Sequence, residues 1–240
     1  MHKNDIRLLE QLDKQYIWHP FTQMKEWMQE PPIIVERGKG CMLTDITGKQ
    51  YIDGVSSLWV TIHGHRKKAL NQAITAQLKK IAHSTLLGLS NVPAVQLAEK
   101  LIAIAPPGLA KVFYSDSGST AVEIALKIAF QYWQQQGSSG KNKIGFISLR
   151  EAYHGDTLGS VSVGGIDLFH QIYKPLLFHT KTIESPSCYR CAFGRTYPDC
   201  NCACAESAET LIRNHHAETA ALIIEPLMQG AAGMLAQPPG

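Results

Sequence analysis

The densest group of residues able to do chemistry is Asp116-Ser117-Gly118-Ser119-Thr120, set between an apolar stretch and an amphipathic one. Hydroxyls, a residue without a Cβ and the first amides of a helix together make a site for an anion, and a phosphate would suit it. The Gly-Lys-Ser/Thr ending of a nucleotide loop is absent, and so is the three-glycine dinucleotide pattern. An ordinary strand-to-helix connection with a Ser/Gly cap has the same local pattern, so other segments must decide. Two others carry suitable residues: Tyr153-His154-Gly155-Asp156-Thr157 and Glu225.

Each of the three groups stands at the end of a predicted strand, at 112–114, 143–149 and 220–225. A helix after the first is expected from two apolar rows at helical spacing, Ala121, Ala125, Ile128, Tyr132 and Val122, Leu126, Ala129, Trp133. Thr120 and Glu123 have the spacing of a capping box. A further helix is expected at 205–216. Strand, helix, strand, loop, helix, strand is the α/β order of a mostly parallel sheet, in which ligands gather at the carboxyl ends of the strands. The three groups are therefore expected to share one pocket.

Upstream, 5–16 reads as a helix and 18–24 as an extended arm. Strands at 33–37, 41–45 and 50–53 form a small meander, and helices follow at 68–82 and 92–104. Between them, 54–64 reads as an irregular buried loop: Leu58, Trp59, Val60 and Ile62 either pack in the core or line a site.

Of the 240 residues, 45% are hydrophobic and 18% charged, enough for a sizeable core. The 23 basic and 20 acidic residues are dispersed, so no nucleic-acid footprint arises. No apolar run reaches the roughly 18 residues of a membrane span, and no secretory signal is visible at the N-terminus, so a cytoplasmic location is expected. Five of six cysteines fall between Cys188 and Cys204. Cys188 and Cys191 with two of Cys200, Cys202 and Cys204 have the pairing of a tetrahedral zinc site, while reduced surface thiols are the plainer expectation, and no metal ligand is assigned.

The ordered segments Asp53-Gly-Val-Ser-Ser-Leu-Trp59, His63-Gly-His65, Ser115-Asp-Ser-Gly-Ser-Thr-Ala-Val-Glu-Ile-Ala-Leu-Lys127, Tyr153-His-Gly-Asp-Thr157 and Ile224-Glu-Pro-Leu-Met-Gln-Gly-Ala-Ala-Gly233 resemble the class III, pyridoxal-phosphate-dependent aminotransferases. The resemblance implies a fold type I transferase. Residues 1–65 would be the N-terminal arm and meander, and 66–240 the first part of the large cofactor-binding α/β domain, with a Cys-rich insertion at 186–205. Gly118 and Ser119 would hold the phosphate of pyridoxal 5'-phosphate, Tyr153 would stack on its ring with the hydroxyl toward substrate, and Glu225 would lie near the ring. His154 would support its loop; His63 and His65 are expected to be hydrogen-bonded structural groups.

Trp18-His-Pro-Phe-Thr-Gln-Met24 and Gln131-Tyr-Trp133 resemble the branch of the family that aminates 8-amino-7-oxononanoate in biotin synthesis. Phe21 stands where that branch has a substrate-contacting tyrosine, and Leu58 with Trp59 where it has two tryptophans. A lost hydroxyl is worth roughly 1 kcal/mol. The amino donor implied is adenosylmethionine, with lysine as the alternative. Another class III ω-aminotransferase and a non-catalytic phosphate-binding remnant are the competing readings. Family members are homodimers, with the arm expected at the interface. They continue past the position of Gly240 to the aspartate at the ring nitrogen and the Schiff-base lysine, so this chain is expected to be an N-terminal portion, inactive alone.

Overall fold

The computed structural model describes residues 3–138 and 140–238. The chain divides into two compact units, Met1–Ile104 and Ala105–Gly240.

In the first unit, α1 (Lys3–Tyr16) leads into a loop and the short α2 (Met24–Trp27). The buried carboxylate of Asp13 ties them together: it accepts from Trp27 Nε1 at 2.9 Å and meets His19 Nε2 at 3.1 Å. The expected arm is present around Pro20 but is not packed along its length, since Trp18 and Phe21 are 87% and 75% exposed. Next, β1 (Val35–Lys39), β2 (Met42–Asp45) and β3 (Gln50–Ile52) form the predicted meander, antiparallel in the order β1-β2-β3. Asp45 closes its second turn by accepting from the Thr47 and Lys49 amides, at 2.9 and 3.0 Å.

The loop at 54–64 departs from expectation. It contains the short α3 (Ser56–Trp59), in which Ser56, Ser57, Leu58 and Trp59 all have positive φ. The apolar side chains are exposed, Leu58 at 68% and Val60 at 79%. Polar anchoring replaces apolar burial here. Asp53 accepts from the Ser57 amide and hydroxyl at 2.7 and 2.8 Å and meets His65 Nε2 at 2.7 Å, clamping both ends of the loop. Helices α4 (Lys68–Leu78) and α5 (Val92–Ile104) complete the unit.

The second unit is built on β4 (Gly145–Leu149), whose alternate side chains serve two faces of a sheet. Helix α6 (Gly118–Gln134) precedes it. After β4 come α7 (Leu158–Ser162), α8 (Asp167–His170), a 3₁₀ turn (Gln171–Leu176), β5 (Lys181–Ile183), α9 (Ala203–His215) and β6 (Thr219–Ile223). A two-stranded ladder of β7 (Met228–Gln229) and β8 (Leu235–Ala236) ends it. The sheet order is β5-β4-β6, with both pairings parallel.

Ile147 and Leu149 of β4 pack with Ile183 and the Ala208, Leu211, Ile212 face of α9. Phe146 points the other way, joining Leu126 and Val163 with Val122 and Ala129 of α6. Ile147 and Val163 are fully buried, and each such side chain stabilises the fold by about 1.5–3 kcal/mol. Of the two apolar rows on α6, only Val122, Leu126, Ala129 and Trp133 face inward. Trp133 also donates its indole N–H to the Ala220 carbonyl at 2.8 Å. Ile128 and Tyr132 of the other row are each 54% exposed.

A second correction concerns 112–114. The segment is extended but pairs with no strand among the described residues, and Phe113 is 66% exposed. Its apolar run suits a strand, yet a strand needs a neighbouring strand to pair with, and among the described residues no such pairing forms here. No helix among the described residues is long and apolar enough to cross a membrane.

Candidate functional site

Ser117 is the N-cap of α6, with extended backbone (φ −152°, ψ 168°). Its hydroxyl accepts from the Thr120 amide at 3.2 Å, and its own amide donates to Thr120 Oγ1 at 3.0 Å. The capping box thus joins Ser117 and Thr120, three residues upstream of the expected Thr120–Glu123 pair, because Thr120 itself supplies the returning oxygen. Thr120 Oγ1 also donates to Asp116 at 2.6 Å, a bond that holds the Asp116 carboxyl below its usual range.

This leaves Gly118 and Ser119 as the first two helical residues. Their amides belong to the set that an α-helix cannot satisfy internally. A Cβ built on Gly118 would meet nothing within 4 Å, so the approach to these amides is open. Ser119 Oγ accepts from the Asp156 amide at 3.2 Å, leaving its O–H to donate. The Ser119 carbonyl accepts from Ser160 Oγ at 3.0 Å.

The loop following β4 is pressed against α6 at two glycines. Gly155 has φ +123°, and a Cβ there would collide with the Ser119 side chain. A Cβ on Gly159 would run into the Glu123 carboxylate, which accepts from the Gly159 amide at 2.8 Å. Glu123, read as a capping residue, thus caps the N-terminus of α7 instead, where a negative charge is favourable.

Glu225 lies two residues past the end of β6 and binds both neighbouring segments. Its Oε1 accepts from the Tyr153 amide at 2.9 Å and its Oε2 from the Gly230 amide at 3.0 Å. Gln229, 1% exposed, donates to the Arg150 carbonyl at 2.8 Å and joins the same two segments. Tyr153 donates its hydroxyl to Asp156 at 2.5 Å, and its ring lies nearly parallel to that of His170, centroids 6.4 Å apart. Burial, with the Asp156 carboxylate second, pushes the phenol up to about 12. His154 is held below the usual imidazole range by burial, opposed by the charge of Glu225, and its Nε2 has no hydrogen-bond partner among the described residues.

Four of the residues singled out from sequence, Gly118, Ser119, Tyr153 and Glu225, therefore belong to one connected network within the second unit. Phe21, Leu58 and Trp59 lie in the first unit. All three are exposed and have positive φ, 50°, 55° and 70°. Sequence reasoning missed Ser160, Glu123 and Gln229 as members of the network. The glycines at 155 and 159 were the available signal, since close backbone approach is a usual reason for glycine.

A parallel sheet with helices on both faces, and strand-end loops gathered at a helix N-terminus, is the fold of the pyridoxal-phosphate-dependent aminotransferases over half their length. The crystal structure of adenosylmethionine-8-amino-7-oxononanoate aminotransferase from Methanocaldococcus jannaschii matches with a TM-score of 0.88 and 46% identity, covering 98% of this chain and 50% of that one. An amine transaminase from an uncultivated Pseudomonas species, in its PLP-bound form, matches with a TM-score of 0.83 and 34% identity over 93% of this chain and 51% of that one.

The chain belongs to the class-III aminotransferases, whose family model matches residues 23–240. In sequence it is 52% identical, over 98% of its length, to the adenosylmethionine-8-amino-7-oxononanoate aminotransferase of Geobacter sulfurreducens. It spans about half the length of the curated relatives it matches, 52% in that case. The family uses pyridoxal 5'-phosphate.

Proposed function

We propose that this chain forms part of a homodimeric cytoplasmic aminotransferase that moves an amino group to 8-amino-7-oxononanoate, giving 7,8-diaminononanoate for biotin synthesis. The observation that carries the reading is the open helix N-terminus at Gly118 and Ser119, with Ser119 Oγ fixed by the Asp156 amide at 3.2 Å. Those groups suit a phosphate dianion. Amides at a helix N-terminus donate to it, the helix dipole favours it, and the absent Cβ of Gly118 lets it approach the backbone. Pyridoxal 5'-phosphate, when bound, supplies an electron sink for the carbon that loses or gains the amino group.

The chain's own residues orient and enclose that group. Gly118 and Ser119 hold the phosphate. Glu225 fixes the Tyr153 backbone, so the position of the aromatic ring is set from the end of β6. Tyr153 is the ring-stacking candidate, and its phenol, pushed up to about 12 from an ordinary value already well above neutral, stays protonated. It can therefore donate a hydrogen bond but not take a proton near neutral pH. No lysine here is assigned to hold the cofactor covalently: Lys181 opens β5 and pairs with Glu218 at 3.1 Å, at the amino end of the sheet. On this reading the arm and meander, 1–65, are distinct from the cofactor-binding segment 66–240, and Phe21, Leu58 and Trp59 form the substrate wall.

On this reading the amino donor is adenosylmethionine, the compound that the names of the relatives carry. Lysine remains the competing donor because Leu58 and Phe21 alter that wall. A donor panel tests this: the protein expressed from its native locus is given 8-amino-7-oxononanoate with adenosylmethionine, lysine or a simple ω-amine, and diamine formation is followed by mass. Turnover with adenosylmethionine supports the reading. Turnover confined to the other amines assigns a different class III activity, and failure to bind pyridoxal phosphate at all overturns the site.

A further inference from the structure

The sequence left open which of Cys200, Cys202 and Cys204 would join Cys188 and Cys191. In the fold, Cys188, Cys191, Cys200 and Cys204 line one small cavity between the 186–205 insertion and the start of α9, with Ala192, Phe193 and Ala203 as apolar wall. Cys202 does not line it. Cys202 is the exposed, left-handed N-cap residue of α9 (φ 51°). A tight turn begins at one cysteine of each pair. The Gly194 amide donates to the Cys191 carbonyl at 3.0 Å, and the Ala203 amide to the Cys200 carbonyl at 3.2 Å.

Positive charge is provided for, since Arg195 lines the cavity and Arg190 lies between Cys188 and Cys191, over the Tyr189 ring. All six cysteines are free thiols.

We propose that Cys188, Cys191, Cys200 and Cys204 close on one zinc ion, forming a structural four-thiolate site that staples the insertion to α9. Spacings of two and three residues within the pairs fit the usual zinc-binding turns, and four soft thiolates with no open position select zinc over hard cations. Among the described residues no three Cys, His, Asp or Glu side chains already stand in a metal-holding arrangement. Binding therefore draws together sulfurs that border one cavity, and the four thiol protons leave to solvent as the ion enters. The site is independent of the aminotransferase reading and takes no part in that chemistry.

The test is zinc protection of thiols in the intact chain. Protein prepared without chelator is analysed for bound metal, then stripped, reconstituted with zinc alone, and alkylated before peptide mapping. The expected result is about one zinc per chain, with Cys188, Cys191, Cys200 and Cys204 shielded while Cys41 and Cys202 label freely. Cobalt in place of zinc should give the bands of tetrahedral thiolate coordination. They should survive Cys202→Ser and vanish in Cys200→Ser. No protection, protection of Cys202 in place of Cys200, or a Cys188–Cys191 disulfide formed in air despite added zinc would each overturn the proposal. Labelling the unmutated chain keeps the test decisive even if a variant fails to fold.

Discussion

The amide of Asp156 reaches the hydroxyl of Ser119 at 3.2 Å, and the residue just before it, Gly155, has φ +123° with no room for a Cβ beside the same serine. One hydrogen bond and one missing methyl therefore set how closely the loop after β4 approaches the N-terminus of α6. Gly155→Ala must move the loop or strain it, at a cost of about 1–3 kcal/mol for a residue held in a sparsely populated conformation. Denaturant unfolding should register that loss. The same variant should bind pyridoxal phosphate more weakly while leaving affinity for unphosphorylated pyridoxal nearly unchanged. Equal weakening for both ligands would place the damage away from the phosphate.

Two neighbouring serines should separate stability from binding. Ser117→Ala removes the N-cap and should cost about 1 kcal/mol of stability, the usual value for such a cap. Ser119→Ala leaves the capping box intact and removes one phosphate donor. Its midpoint should move less than that of Ser117→Ala, while its affinity for pyridoxal phosphate should drop more. Melting curves and equilibrium binding on both variants decide it; the reverse ordering would mean that the anion site is misassigned.

Much of this network was legible in the sequence because its parts are local. The Ser117–Thr120 turn, the polar loop beginning at Tyr153 and the carboxylate after β6 each stood at the end of an apolar run. The partnerships were not legible, since Glu123 to Gly159 and Glu225 to Tyr153 join residues 36 and 72 apart. Glu123 has the spacing of a capping residue for its own helix, yet Thr120 does that work and frees Glu123 to cap α7. The run at 112–114 misled for the opposite reason: its composition favours a strand, but a strand also depends on a neighbour that composition cannot supply. Hydrophobicity alone left Leu58 and Trp59 open between the core and a site wall; the bonds from Asp53 to Ser57 and His65 hold their loop without burying them.

Glu225 makes a prediction about backbone order. Glu225→Ala leaves the Tyr153 and Gly230 amides without an acceptor, at about 1–3 kcal/mol for each donor that stays buried. Glu225→Gln keeps one carbonyl oxygen and should lose only one of the two bonds. Amide hydrogen exchange should speed up at both Tyr153 and Gly230 in the alanine variant and mainly at one of them in the glutamine variant. Unchanged exchange at both sites would mean that the carboxylate does not order this end of the sheet.

His154 and His170 give the second unit a pH dependence whose sign follows from burial. Both imidazoles are held below their usual range, chiefly by burial, with Glu225 opposing at His154, and Asp156 and Asp167 opposing at His170. A group whose folded pKa is depressed binds more protons when unfolded, once the pH falls below its unfolded value of about 6.5. The stability these neutral rings preserve is thus fully present above that pH and is lost progressively as pH falls toward their folded values. Unfolding midpoints measured from pH 8 down to pH 5 should decline, and His154→Gln should flatten part of the decline. Titration of the ring carbons by NMR assigns the effect: an imidazole at residue 154 that protonated at or above its ordinary value would remove the basis for the prediction.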